Sequence, residues 1–107
     1  MSKYNARHVR EDGYLFDSKA EHRRYSELKR LQKAKLIEGL EVHPKFRAAI
    51  GGVKICVIEL DFRYFDKTKN RLIYEDVKGV DTSMSRLKRK ILKALYPEVE
   101  LYLLRPA

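Results

Sequence analysis

The stretch from residue 53 to residue 79, VKICVIELDFRYFDKTKNRLIYEDVKG, decides the fold. Two apolar-rich runs flank DKTKN, a short polar segment with the composition of a turn, so the stretch predicts two antiparallel strands. Strand alternation then puts Tyr74, Asp76 and Lys78 on one face and Ile73, Glu75 and Val77 on the other. Asp61 breaks the first run, between VIEL and FRYF. It lies about as far before the turn as Asp76 lies after it, so antiparallel pairing with some freedom of register brings the two carboxylates together. A lone buried carboxylate costs several kcal/mol without a cation or hydrogen bonds, and two side by side repel; a divalent metal ion relieves both penalties. Asp76 and Lys78 also suit an ordinary surface ion pair. Glu75 replaces Asp76 as the metal ligand if the register slips by one, and Glu59 shares a face with Asp61 as either a supporting or a solvated acid.

Working outward, residues 17–37, DSKAEHRRYSELKRLQKAKLI, have helical spacing and open at a Ser18-x-x-Glu21 capping box. Gly39 is the expected stop. Tyr25, Leu28 and Gln32 share a stripe with Glu21, which turns that acid toward the sheet. LEVHPKF is an extended link, and RAAIGGVKICVIELDFRYF reads as a strand, a Gly51-Gly52 turn and one long strand. Residues 83–95, SMSRLKRKILKAL, are helical again. Met84, Leu87, Ile91 and Leu95 form the apolar stripe, Arg86, Arg89, Lys90 and Lys93 oppose it, and Lys88 lies near the stripe. Pro97 ends this helix, and VELYLL supplies a last strand, parallel to a member of the meander because a helix intervenes. The expected order is α-β-β-β-α-β, a single mixed sheet with flanking helices in one domain spanning 1–107.

The chain has 107 residues, 44% hydrophobic and 36% charged, a mixture that excludes a disordered or membrane-spanning chain. No apolar run approaches the roughly 18 residues of a membrane span, and the polar, basic start is unlike a signal peptide. A cytoplasmic setting is expected. Cys56 is the only cysteine and is read as a buried core thiol. Lys and Arg outnumber Asp and Glu by 24 to 15, a net charge of +9 that attracts polyanions such as nucleic acid. His8, His22 and His43 lack metal-ligand spacing and are read as surface or local structural residues.

An aspartate, about fifteen residues, then Asp-x-Lys, with a glutamate on a preceding helix, resembles the PD-(D/E)xK nuclease superfamily. The segments YNA, DGYLFDSKAEHRRYSEL, LDFRYF, YEDVKGVDT and LKRKIL resemble a family of small proteins of that superfamily found mainly in phage genomes. The likeness runs from Tyr4 to Tyr96. Leu60 stands where the superfamily's name has proline.

The resemblance implies a restriction-endonuclease-like α/β fold and a metal-dependent endonuclease acting on DNA, in the host cytoplasm if the chain is phage-encoded. It assigns Asp61, Asp76 and the carbonyl of Val77 to Mg2+ or Mn2+, Glu21 to the same ion directly or through water, and Lys78 to the attacking water or the pentacovalent phosphate. Thr82 and Lys88 are then phosphate contacts, Lys88 being equally readable as a lysine snorkelling from the apolar stripe, and Arg86, Arg89, Lys90 and Lys93 are read as a DNA-facing or simply solvated surface. So small a chain has little room for a base-reading module, which favours selection of branched DNA, such as Holliday junctions, by structure. Symmetric cutting of a junction requires a homodimer. The competing expectation is a basic nucleic-acid-binding protein without catalysis.

Overall fold

The computed structural model describes residues 8–106; the YNA segment at 4–6 lies outside them. The fold is mixed α/β, with two helices and three sheets among the described residues. Elements run β1 (Val9–Glu11), β2 (Tyr14–Phe16), α1 (Lys19–Lys33), β3 (Ile37–Val42), β4 (Lys45–Ile50), β5 (Val53–Glu59), β6 (Phe62–Asp66), β7 (Arg71–Val77), α2 (Ser83–Leu95) and β8 (Leu101–Leu104). The main sheet has the order β3-β6-β7-β8; its pairs are antiparallel except β7 with β8, which are parallel, as expected after an intervening helix.

The expected α-β-β-β-α-β order and single sheet are corrected at three places. A hairpin, β1–β2, precedes α1, turning at Asp12 and Gly13, both with positive φ (54° and 83°); this is the backbone that an Asp-Gly hairpin loop adopts. LEVHPKF is not a link but the end of β3 and the start of β4, with His43 at φ 58° in the bend. The long strand breaks at Leu60 and Asp61 into β5 and β6, so β4 and β5 pair as a separate hairpin around the expected Gly51-Gly52 turn.

Helix α1 also stops sooner than its spacing suggests. Lys35 takes a positive φ of 65°, its amide reaching the Gln32 carbonyl at 3.0 Å and the Leu36 amide the Leu31 carbonyl at 3.0 Å. That is a Schellman ending, with lysine in the place usually held by glycine. Gly39 instead sits where β3 shifts register against β6.

Two cores cover the two faces of the main sheet. On one, α1 and β2 bring Tyr25, Leu28 and Phe16 against Ile37, Phe62, Tyr64 and Ile73. On the other, Leu92 of α2 and the inner side of the β4–β5 hairpin, Ala48 and Ile58, meet Leu60 and Tyr74. Cys56 is half-buried at the margin of this second core, a free thiol less covered than expected. No helix among the described residues is long and apolar enough to cross a membrane.

Candidate metal centre

Asp61 occupies the break between β5 and β6, where backbone bonds hold it from both sides. Its amide donates to the Glu75 carbonyl at 3.1 Å, and its own carbonyl accepts the His43 amide at 2.9 Å. Its Oδ2 accepts the Val77 amide at 2.6 Å. Since Phe62 pairs with Glu75 across β6 and β7, Asp61 falls beside Asp76, the juxtaposition expected from the sequence. Asp76 is buried, and the Lys78 ammonium stands 3.2 Å from its Oδ2 on the same face.

Glu21 arrives from the other side, out of the first turn of α1. Ser18 caps the helix, its Oγ accepting the Glu21 amide at 3.1 Å. The reciprocal half of the capping box differs: Glu21 Oε2 accepts from the amide of Asp17, not of Ser18, at 3.2 Å. The other oxygen, Oε1, lies 2.8 Å from His43 Nε2. Glu21 is 4% exposed, too buried for a capping residue that merely meets solvent.

Glu21, His43 and Asp61 each present a ligand atom within 4.8 Å of the others. The trio adds His43, which the sequence reading set aside, and leaves Asp76 one step away, against Asp61 and Lys78. Val77 joins through its amide. Burial, then the charge of Glu21, then Asp76 push the Asp61 carboxyl up to about 8, against the opposing pull of the Val77 amide. Lys78 offsets Asp76 and His43 bonds Glu21, but among the described residues no lysine or arginine pairs with Asp61, and three acids so crowded favour a bound proton or a bound metal ion. Two carboxylates and an imidazole form a donor set suited to a divalent ion.

Glu75, the alternative ligand, is otherwise engaged. It faces α1, where Arg24 donates to both its oxygens at 2.8 and 2.6 Å and the Tyr64 hydroxyl donates to Oε2. Glu59 is exposed, with Lys45 3.5 Å away, and takes no part in the trio.

The basic residues of α2 are arranged differently from the expected opposition of stripes. Leu92 is the buried residue, whereas Met84 and Leu87 are exposed. Arg89 turns inward, donating to Asp81 Oδ1 and Oδ2 at 2.8 and 2.7 Å, and Arg86 donates to the Asp81 carbonyl at 2.8 Å. Ile91 and Leu95 of the expected stripe do pack against the second core with Leu92, so the stripe holds in the C-terminal half of the helix and fails in the N-terminal half, where Arg89 and Asp81 pair instead. Thr82 is the N-cap, its Oγ1 accepting the Ser85 amide at 3.1 Å; Lys88 is half-buried, and Lys90 and Lys93 are exposed. A different basic recess lies between α1 and β8: a cavity of about 390 Å³ lined by Arg23, Arg24, Glu27, Val77 and Arg105, which meets the site at Val77 and has none of Glu21, Asp61 and Asp76 in its lining.

Fold and site together define a mixed α/β protein carrying a partly buried carboxylate–imidazole cluster beside a lysine. Residues 1–106 match the family described as Protein of unknown function (DUF1064), and the chain belongs to that family. No curated protein and no solved structure matches it.

Proposed function

We propose that this protein is a divalent-metal-dependent endonuclease of the PD-(D/E)xK, restriction-endonuclease-like type that hydrolyses DNA phosphodiester bonds. The observation that carries the reading is Asp61 wedged between Glu21 and Asp76, with the Lys78 ammonium 3.2 Å from Asp76. Structural acids in a purely binding protein would pair with the abundant cations of a +9 chain. Glu75 and Asp81 do so with arginines, whereas Asp61 has a backbone amide, two other acids and the His43 imidazole for neighbours, and no arginine or lysine pairs with it among the described residues.

Glu21, Asp61 and Asp76 would hold Mg2+ or Mn2+, which supplies Lewis-acid stabilisation of the phosphate and a more acidic water. The Val77 amide fixes one oxygen of Asp61 and so aims the other. Lys78 orients the attacking water or neutralises charge on the pentacovalent phosphate, and Asp76 holds its ammonium in place. Arg23 and Arg105, lining the cavity that reaches Val77, receive the flanking backbone. Selection of branched DNA by structure, and cutting by a homodimer, are parts of the same reading. The exposed Ile50, Val53, Ile55 and Val57 of the β4–β5 hairpin offer apolar surface for such a dimer.

The test is incubation of the purified chain with end-labelled linear, flap and four-way DNA in Mg2+, Mn2+ or chelator. Metal-dependent cleavage, strongest on a branched substrate, is the expected result. Salt-sensitive binding to all three, with no cleavage under any ion, would replace this reading with that of a non-catalytic binding protein.

A further inference from the structure

We propose that His43 is a direct ligand of the metal centre, and that the centre it completes takes a first-row transition ion such as Mn2+ in preference to Mg2+. The inference rests on the reading of Glu21 and Asp61 as a divalent-cation site.

The imidazole is placed there by backbone. The His43 amide donates to the Asp61 carbonyl at 2.9 Å, and the Leu60 amide donates to the carbonyl of buried Pro44 at 2.9 Å. Two consecutive bonds thus fasten the β3–β4 bend to the β5–β6 break, and the ring of His43 moves with Asp61. The bend holds His43 at φ 58°, a region that residues with a side chain seldom occupy. Such a conformation persists where its surroundings over-determine it, often at functional positions.

One donor pair already has the spacing of adjacent ligands, and the third donor is close enough to reach the same ion with a small side-chain adjustment. Ligands about 2.1 Å from one octahedral ion lie about 3.0 Å apart when adjacent and about 4.2 Å when opposite. His43 Nε2 and Glu21 Oε1 are 2.8 Å apart, and all three donors fall within 4.8 Å. A carboxylate oxygen and an imidazole nitrogen at that distance share a proton in the metal-free protein and occupy adjacent positions on an ion. Mg2+ keeps oxygen ligands and water, whereas first-row transition ions accept imidazole nitrogen. A nitrogen ligand therefore shifts preference away from Mg2+.

The experiment binds Mn2+ to the intact chain without DNA, reading free ion by electron paramagnetic resonance and ligand nuclei by its pulsed form. Wild type should bind Mn2+ with an imidazole 14N coupling that changes to that of 15N when histidine is 15N-labelled. His43→Asn keeps a residue that tolerates positive φ. It should lose the coupling and weaken Mn2+ binding by at least the roughly 10- to 100-fold cost of losing even an indirect contact. Mg2+ affinity, measured by competition, should change far less. Mn2+ bound to wild type with no nitrogen coupling would overturn the proposal, leaving His43 a hydrogen-bond partner of Glu21. The labelling readout needs no variant to overturn the proposal, and a histidine coupling that persists in His8→Gln/His22→Gln is assigned to His43 even if His43→Asn fails to fold. Absence of stoichiometric Mn2+ binding to wild type, unaltered by Asp61→Asn, would overturn the metal reading itself and this proposal with it.

Discussion

Arg24 grips Glu75 through two hydrogen bonds, of 2.8 and 2.6 Å, on the face of β7 opposite Asp76. Adjacent acids on one strand therefore have opposite fates: Glu75, 1% exposed, is matched by a guanidinium and a phenol, and Asp76 belongs to the acid cluster. Burial and the bond to Glu75 push the Tyr64 hydroxyl well above its ordinary value, so it stays a proton donor.

Removing Arg24 should strike the fold. Arg24→Ala leaves Glu75 buried with only Tyr64, and breaking a buried pair from one side costs about 3–5 kcal/mol. Urea denaturation should show a loss of that order, with Arg24→Ala/Glu75→Met recovering much of it. A loss under about 1 kcal/mol would mean that water replaces the guanidinium.

The pH dependence of stability tests the crowding of acids around Asp61. Its folded-state value, about 8, lies above the ordinary 3.8, so between those limits the folded chain holds a proton that the unfolded chain has lost. Stability from this group is fully present below the lower limit and falls as pH rises toward about 8. In chelator, Asp61→Asn should remove that fall, and the wild-type minus variant difference in stability should become more negative between about pH 4 and 8. Saturating Mn2+ should diminish or reverse the trend in wild type by replacing the proton. A difference flat with pH in chelator would show that Asp61 is ionised throughout.

The strands carrying Asp61, Asp76 and Lys78 were legible because alternation and turn composition are local signals, and Ser18-x-x-Glu21 marked the helix start in the same way. The Asp12-Gly13 turn was equally plain but lay in a polar segment lacking an apolar run long enough to suggest a strand. The break at Leu60 and Asp61 was hidden because both sides of it are apolar. His43 could not be found from spacing: its bend meets Asp61 through backbone bonds that exist only in the folded chain. Helix α2 misled for a related reason, since Met84 and Leu87 look like core by period while Asp81 draws Arg89 inward.

The proposed contacts of basic residues with phosphates are testable from salt. Each phosphate contact contributes about 0.9 to the slope of log K against log salt. Arg23→Ala/Arg105→Ala should therefore lower the slope by up to about 1.8, while Lys90→Ala/Lys93→Ala on α2 should leave it nearly unchanged. The reverse pattern would lay the DNA along α2. Arg89→Ala should act through stability instead, lowering the melting temperature, because Asp81 loses a two-bond charged partner.

Glu21 separates capping from catalysis in one substitution. Glu21→Gln keeps an oxygen to accept the Asp17 amide, and its side-chain amide can donate to an unprotonated His43 Nε2. The Ser18 cap is untouched. A purely structural Glu21 would then show a stability change well under about 1 kcal/mol and ordinary cleavage. An acid of the metal centre behaves otherwise. Removing its charge relieves repulsion on Asp61, so the melting temperature in chelator should hold or rise. It also weakens the hold on a divalent ion, so cleavage at saturating DNA should fall by roughly 100-fold or more, with excess metal restoring part of it. Asp61→Asn, Asp76→Asn and Lys78→Ala should each abolish cleavage while DNA affinity stays within a few fold, since none of them supplies the main charge that attracts the duplex. Wild-type cleavage by Glu21→Gln across a full Mg2+ and Mn2+ titration would remove Glu21 from the centre and leave Asp61, Asp76 and Lys78 as its working set.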